Sequence, residues 1–235
     1  MTRKLTRYEF AKAILAVCIG FCLTAGTSAQ IVATSTDLAD NTMIPDDGPG
    51  SDGIVSIINI MENEIIKDIS VTVNDLQHSS LGDLTIELRY LGPVTTNNFG
   101  TAPLLDRVGV EGTGLPGDKS NLDGNYTFTS NFGTDPDISF WSEAANTPED
   151  EVVNPDIDYF ASDDTGNFFD IGDFFAGNST FGQWELRIAD LNDLGNEIGS
   201  VDSFTINFES NAVPEPSTAA ILCLAGLGLA TRRRR

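Results

Sequence analysis

The residues best suited to nucleophilic catalysis surround the single histidine of the chain, His78. A serine hydroxyl, an imidazole and a carboxylate that converge on one atom are the machinery of serine hydrolases. Ser79, Ser80 and Asp83 follow His78 closely, but neighbouring residues on a strand point alternately to opposite faces and rarely aim at one atom. We therefore expect His78 to be a hydrogen-bonded residue at the end of a strand, and we expect the chain not to be an enzyme.

Other common chemistries lack the residues that they need. All three cysteines, Cys18, Cys22 and Cys223, lie in the terminal segments described below. One histidine without cysteine cannot assemble the usual zinc site, and a cysteine nucleophile is excluded from the central part of the chain. Carboxylate pairs such as Asp156 and Asp158 occur throughout so acidic a chain, so they do not indicate a glycosidase. We expect neither zinc nor a nucleotide cofactor.

Calcium is the cofactor that the composition supports best. Hard cations take about six to eight oxygen ligands from Asp, Asn and backbone carbonyl groups in turns. The candidate ligands occupy two acidic turns and are Asp46, Asp47, Asp52, Asp190, Asn192 and Asp193. Counted from Asp190, the fifth position is Leu194, so the spacing is not that of an EF-hand. The alternative is that these acidic residues only keep a surface protein soluble.

Trp141 is a candidate for ligand binding of another kind. It lies in an irregular, polar part of the chain, and a tryptophan ring there is suited to stacking against a sugar ring. The alternative for Trp141 is packing in the core.

Four segments that must position these residues alternate apolar and polar side chains with a period of two, which predicts half-buried β-strands. They are residues 69–74, 84–90, 184–188 and 204–208, and a fifth, less regular segment covers residues 54–60. Clusters of Asp, Asn and Gly separate them, as expected for turns. The pattern predicts an all-β fold, an antiparallel β-sandwich over residues 54–210.

Two segments of the central part lack this alternation. Residues 30–53 are polar and end in a run rich in Gly and Asp, which predicts an extended entry segment followed by a tight loop. Residues 143–173 contain ten acidic residues and no basic one. We expect this second segment to be a long acidic loop that covers one end of the sandwich.

The N-terminal segment has the order of a secretory signal peptide. Basic residues between Arg3 and Lys12 precede the apolar run 13–23, and small residues continue to Ala29. This run is shorter than the about 20 apolar residues that a membrane-spanning helix needs. We therefore expect residues 1–29 to be a signal peptide that directs export through the Sec machinery and is cut after Ala29.

The C-terminal segment, residues 213–235, joins three unlike elements. A Pro-Glu-Pro element and an apolar run, residues 219–230, are followed by a group of arginines. The residues of the first and last elements are Pro214, Glu215, Pro216, Arg232, Arg233, Arg234 and Arg235. As a helix the run would be about 18 Å long, which is short for a hydrocarbon core of about 30 Å. The positive-inside rule places the arginines on the cytoplasmic side.

This tail closely resembles the PEP-CTERM sorting signal of bacterial envelope proteins. The resemblance implies transient anchoring in the inner membrane, recognition by an exosortase, and cleavage near the Pro-Glu-Pro element. The product would be released or attached at the cell envelope or surface. The alternative is an ordinary C-terminal anchor.

The central part is far more acidic than the net charge of the whole chain, −22, indicates. The two terminal segments contain eight of the 13 basic residues but only two of the 35 acidic ones, which leaves five basic and 33 acidic residues, a formal charge of −28. Such a charge repels nucleic acid and anionic membranes, so we expect no nucleic-acid partner. Without cysteines, the exported body must be stabilised by its core rather than by disulfides.

Residues 44–209 resemble the P domain, also called the P/Homo B domain, which follows the catalytic domain in subtilisin-like proprotein convertases. The resemblance rests mainly on two stretches, His78 with Gly82, Asp83 and Leu84, and the Gly-x-Trp-x-Leu-x-Ile-x-Asp run that ends at Asp190. It implies a jelly-roll-like β-sandwich. The loop after Leu91 and the acidic segment before Phe174 are both longer than in the family.

Three functions remain open from the sequence. The one that we favour is a non-catalytic surface or matrix module, which binds or scaffolds extracellular polysaccharide or neighbouring proteins. The second follows from the family resemblance and is a protease-associated domain that acts with a separate subtilisin-like serine endopeptidase. The third is a carbohydrate-binding module that uses Trp141.

Overall fold

The computed structural model describes residues 29–46, 48, 52–92, 100–110, 117–130, 138–192 and 199–210. Strands dominate these residues and form mainly antiparallel sheets, with two short helices between them. The predicted all-β, antiparallel β-sandwich is therefore confirmed. Apart from Ala29, the expected signal peptide and sorting tail lie outside the described residues.

The first sheet contains seven strands. They are β1 (Ala29–Thr34), β2 (Thr42–Ile44), β4 (Ile66–His78), β7 (Leu122–Thr129), β8 (Asp158–Tyr159), β12 (Gly199–Val201) and β13 (Ser203–Ser210). Their order is β1-β13-β4-β12-β2, while β7 pairs with β4 and β8 extends the sheet beyond β7. The long strand β4 pairs with β13, β12 and β7, and the N-terminal strands β1 and β2 join the sheet through β13 and β12.

The second sheet contains four strands in the order β3-β11-β5-β6. They are β3 (Ile54–Ile60), β5 (Leu84–Gly92), β6 (Gly100–Asp106) and β11 (Gly182–Asp190). The remaining elements are the hairpin of β9 (Ala161–Ser162) and β10 (Phe168–Phe169), a 3-10 turn (Leu81–Asp83), and the helices α1 (Phe140–Ala144) and α2 (Ile171–Phe175).

Alternation along the strands places the hydrophobic core on one face of each sheet. In β5, Leu84, Ile86, Leu88 and Tyr90 are all buried, whereas the residues between them are partly exposed. Trp184 on β11 is fully buried, and its ring stacks on that of Tyr90 with 4.4 Å between the ring centres. Each fully buried Leu or Ile side chain of this core stabilises the fold by about 1.5–3 kcal/mol.

The expected entry segment, residues 30–53, is extended but belongs to the sandwich. Strand β1 pairs with β13 over six residues, and β2 pairs with β12. Ile31 and Ala33 pack against the core from one face of β1, while Val32 on the other face is 60% exposed. The compact unit accordingly begins at Ala29 and ends at Ser210.

The expected acidic loop, residues 143–173, is more ordered than predicted. It includes the end of α1, strands β8, β9 and β10, and most of α2. Val153, Tyr159, Ala161 and Ile171 within it are buried in the core. Sequence periodicity missed these elements because strands of two residues and helices of five do not complete a recognisable repeat.

Candidate functional site

His78 lies at the end of β4 and is sealed inside the protein, with a side-chain exposure of 0%. Its Nδ1 is 2.8 Å from the carbonyl oxygen of Ser80, and its Nε2 is 3.1 Å from Oδ2 of Asp190. The histidine is therefore hydrogen-bonded at a strand end, as its position in the sequence predicts.

The hydroxyl of Ser80, two residues after His78, does not point at the imidazole. The backbone nitrogen of Ser80 lies 3.1 Å from Nδ1 of His78, whereas its hydroxyl donates to the carbonyl oxygen of Asp118 over 3.4 Å. A general base must instead reach the proton of the nucleophilic hydroxyl. The geometry gives His78, Ser80 and Asp190 a structural role at the junction of the two sheets.

Asp190 was expected in a calcium site, and the structure gives it different partners. Its Oδ2 contacts His78, and its Oδ1 accepts a hydrogen bond from the backbone N–H of Asn192 over 3.0 Å. Gly199 leaves the space for the imidazole, because a Cβ atom there would lie 2.4 Å from Cδ2 of His78. Sequence reasoning missed this pair, since the two residues lie on strands of different sheets.

The structure brings together only part of the predicted calcium set. Asp46 forms an isolated parallel β-bridge with Asp190, so the two acidic turns meet at one end of the sandwich. The Asp52 side chain is fully exposed and lies 3.8 Å from Nη2 of Arg187. Asp47 and Asp193 lie outside the described residues.

Metal binding by this set stays a prediction. In the part of the chain that the structure describes, no group of three or more His, Cys, Asp or Glu side chains could hold a metal ion. Asp46, Asp190 and Asn192 would need oxygens from Asp47, Asp193 or backbone carbonyl groups to complete the six to eight ligands that calcium usually takes.

Trp141 lies on α1, half-buried against the core. Its ring covers Gly166 in the turn between β9 and β10, where an added Cβ atom would lie 2.8 Å from Cδ2 of the tryptophan. Phe168, which follows in β10, is 48% exposed. Stacking of a sugar on Trp141 stays a prediction, and the visible role of the ring is packing against the hairpin turn.

The outer face of the seven-stranded sheet, which sequence analysis did not single out, carries an ordered row of hydroxyl groups. Thr34, Thr205, Thr72 and Thr127 are directly opposite one another on the adjacent strands β1, β13, β4 and β7. Thr34 Oγ1 lies 2.9 Å from Thr205 Oγ1, and Thr72 Oγ1 lies 2.8 Å from Thr127 Oγ1. We call these four residues the threonine row.

A second polar row runs parallel to the threonine row. Asn207 on β13 is directly opposite Ser70 on β4, which in turn is opposite Thr129 on β7. These three residues border a shallow cavity of about 190 Å³, whose other side chains include Asp68, Asp158 and Glu209. Period-two alternation could have marked these residues as outward-facing, because they are the polar partners of the apolar core positions, but it does not record that they form rows.

Two aspartates near the β9–β10 hairpin have pKa values shifted in opposite directions. Burial raises the pKa of Asp106, and the carboxylates of Asp164 and Glu87 add to the effect. The pKa of Asp163 is lowered to about 2, mainly because the hydroxyl of Thr165 donates a hydrogen bond to its carboxylate. Protonation therefore has opposite effects on stability at these two positions.

The comparison with family models concerns the C-terminal end. Residues 212–235 match the model of the PEP-CTERM protein-sorting motif. The chain carries a PEP-CTERM sorting signal. It is therefore an exported protein that an exosortase processes at its C-terminal sorting signal, as the Pro-Glu-Pro element and the arginines predicted. Among the residues that the structure describes, no helix has the length and apolar character needed to cross a membrane.

The comparison with curated proteins finds no match, whereas several solved structures are similar to this chain. A serine protease from Aeromonas sobria in complex with its chaperone is 15% identical over 87% of this chain and 30% of that chain, with a TM-score of 0.43. The VP2 subviral particle of infectious bursal disease virus is 12% identical over 81% of this chain and 34% of that chain, with a TM-score of 0.35. The chain thus spans about a third of the length of each.

Proposed function

We propose that this protein is a non-catalytic module of the cell surface or extracellular matrix. Its body, which we propose to be of the P/Homo B type, binds or scaffolds extracellular polymer. The observation that carries the proposal is the sorting motif at residues 212–235, because that signal delivers the body to the cell envelope.

Two features of the body support a binding role rather than a catalytic one. The only histidine of the chain is buried and engaged by Ser80 and Asp190, so it cannot reach a substrate without unfolding of its surroundings. By contrast, ordered polar side chains occupy a broad outer face of the first sheet. A rigid sheet that presents polar groups is suited to recognition of another molecule.

Processing is tested by fractionation of cells and mass spectrometry of the mature protein. We expect the wild-type protein at the surface or in the medium, without Arg232–Arg235 and with Gln30 as its first residue. Deletion of residues 214–216 should leave the arginines in place and retain the protein in the inner membrane. An equal deletion of residues 208–210, inside β13, controls for misfolding, since it should reduce stability without blocking the cut. Arginines on the mature wild-type protein would contradict the proposal.

A second candidate function, docking on a separate subtilisin-like serine endopeptidase, is favoured by two exposed aromatic side chains. Phe168 and Phe174 are 48% and 40% exposed, and Phe174 contacts Phe169 with 5.2 Å between ring centres. Exposed aromatic side chains of this kind often anchor protein interfaces. We expect the double variant F168S/F174S to lose any increase in protease activity or stability that the wild-type protein causes on mixing. The variant V32S, exposed on β1, is the matched control.

A further inference from the structure

We propose that the threonine row and the adjacent polar row form a binding face for an uncharged, polyhydroxylated polysaccharide. The inference rests on the proposed function, because it names the polymer class that the body would bind and the surface that binds it. It places the ligand on the outer face of the first sheet rather than on Trp141.

The chemistry of the face matches a chain of sugar hydroxyls. Each threonine hydroxyl offers one donor and two acceptor sites, and the Oγ1–Oγ1 bonds of Thr34 with Thr205 and of Thr72 with Thr127 use only part of that capacity. Asn207 and Ser70 add amide and hydroxyl groups in the next row. The face therefore can both donate to and accept from a ligand whose own groups are hydroxyls.

The polar side chains are ordered before any ligand arrives. Asn74 Nδ2 donates to Thr205 Oγ1 over 3.1 Å and to Ser203 Oγ over 3.0 Å, and Gln30 Nε2 donates to Asn207 Oδ1 over 2.9 Å. Side chains held in this way lose little rotational freedom on binding. This makes the face better suited to a ligand than a surface of independent polar side chains.

The dimensions of the face suit an extended chain. Adjacent strands lie about 4.8 Å apart, so four strands carry the threonine row across about 14 Å. The second polar row lies two residues farther along the strands, about 7 Å away. The surface is therefore long enough for several sugar rings and wide enough for one chain.

The charges around the face disfavour anionic polysaccharides. The threonine row and the row of Asn207 and Ser70 are uncharged, while acidic residues border them at Asp158, which is opposite Thr127, and at the pair of Asp68 and Glu209. An anionic polymer would meet these carboxylates and the strongly negative body, and it would be repelled. An uncharged polymer meets hydrogen-bonding groups in the middle of the face, with the exposed side chain of Val32 opposite Asn207 at the β1 edge.

The test measures binding of the exported, processed protein to soluble polysaccharides by affinity electrophoresis. The probes are hydroxyethylcellulose, xyloglucan and dextran, with alginate as the anionic comparison. The double variant T72V/T205V removes two hydroxyl groups from the centre of the row and keeps side chains that favour strands. Its matched control is T85V/T101V, which makes the same changes on the partly exposed positions of the second sheet.

We expect the wild-type protein and T85V/T101V to bind at least one neutral probe, and T72V/T205V to bind it at least tenfold more weakly, with alginate unbound. Circular dichroism and melting temperature establish that both variants are folded. Equal affinity of the two variants, binding only to alginate, or no binding of a neutral probe would each overturn the inference. So would a dimer in sedimentation that T72V/T205V converts to a monomer, because a second copy would then occupy the face.

Failure of this inference can be distinguished from failure of the proposed function. A protein that is processed and stays with the surface fraction while it ignores neutral polysaccharides contradicts only the inference about the threonine row. A protein that keeps its arginines and remains in the inner membrane contradicts the proposed function itself.

Discussion

The Nε2 atom of His78 lies 3.1 Å from Oδ2 of Asp190, although the two residues are 112 positions apart in the chain. Both side chains are buried, with exposures of 0% and 1%. The contact joins the end of β4 in the first sheet to the end of β11 in the second. A polar bond between the two sheets specifies how they are aligned, which non-directional apolar packing does less strictly.

Removal of either partner should destabilise the protein strongly. We expect H78A or D190A to lower the free energy of unfolding by about 3 kcal/mol, because each leaves a buried polar group without its partner. Urea unfolding of both single variants and of the double variant provides the measurement. The double variant should cost less than the sum of the singles. The control K67A breaks an exposed ion pair with Glu209 and should cost about 1 kcal/mol or less.

Gly199 should be intolerant of a side chain because it borders the His78 ring. An alanine Cβ would lie 2.4 Å from His78 Cδ2 and 3.1 Å from the carbonyl oxygen of Gln77. We expect G199A to lower stability by about 2–3 kcal/mol, in the upper part of the range for overpacking. G177A is the comparison, since Gly177 has a φ of +80° and no atom within 4 Å of the added Cβ. It should cost about 1 kcal/mol from backbone strain alone, and equal losses would contradict a steric cause at Gly199.

Asp106 should make the protein less stable as the pH rises. Burial raises its folded-state pKa above the ordinary value, so the folded state binds the proton more tightly than the unfolded state does. Its contribution is fully present below the unfolded pKa of about 3.9 and is lost as the pH rises through the folded pKa. We expect D106N to be more stable than wild type at pH 7 and to lack this loss, as urea unfolding between pH 3 and pH 7 would measure. If D106N were less stable than wild type at pH 7, this would show that the folded state favours the charged form of Asp106.

Asp163, in contrast, should make the protein less stable as the pH falls. Its Oδ1 accepts hydrogen bonds from the backbone N–H groups of Thr165 and Asn167 over 2.9 Å each, and its pKa is lowered to about 2. The stabilisation is present above the unfolded pKa of about 3.9 and is lost as the pH falls through about 2. Because the site is exposed to solvent, we expect D163A to cost only about 0.5–1 kcal/mol at pH 7. An NMR titration of the carboxyl group with a midpoint near 4 would refute the assignment.

The main strands could be predicted from the sequence because each needs only local alternation. The segments 69–74, 84–90, 184–188 and 204–208 fall inside β4, β5, β11 and β13. Their apolar residues are the buried ones, as the pattern requires. Strands β1 and β2 were missed as members of the sheet, because they are short and carry exposed apolar residues, Val32 and Met43, which obscure the alternation.

The export and sorting elements, the strong acidity of the body and the all-β fold class follow from local composition and from order along the chain, so they can be predicted from the sequence. Which distant residues meet is set by how the strands pair. The tertiary structure set Asp190 against His78, and it set Thr34 opposite Thr205, 171 residues away. The physical reason is register: the pairing of β1, β13, β4 and β7 turns single polar positions into a continuous row, and no local pattern records which strands will be neighbours.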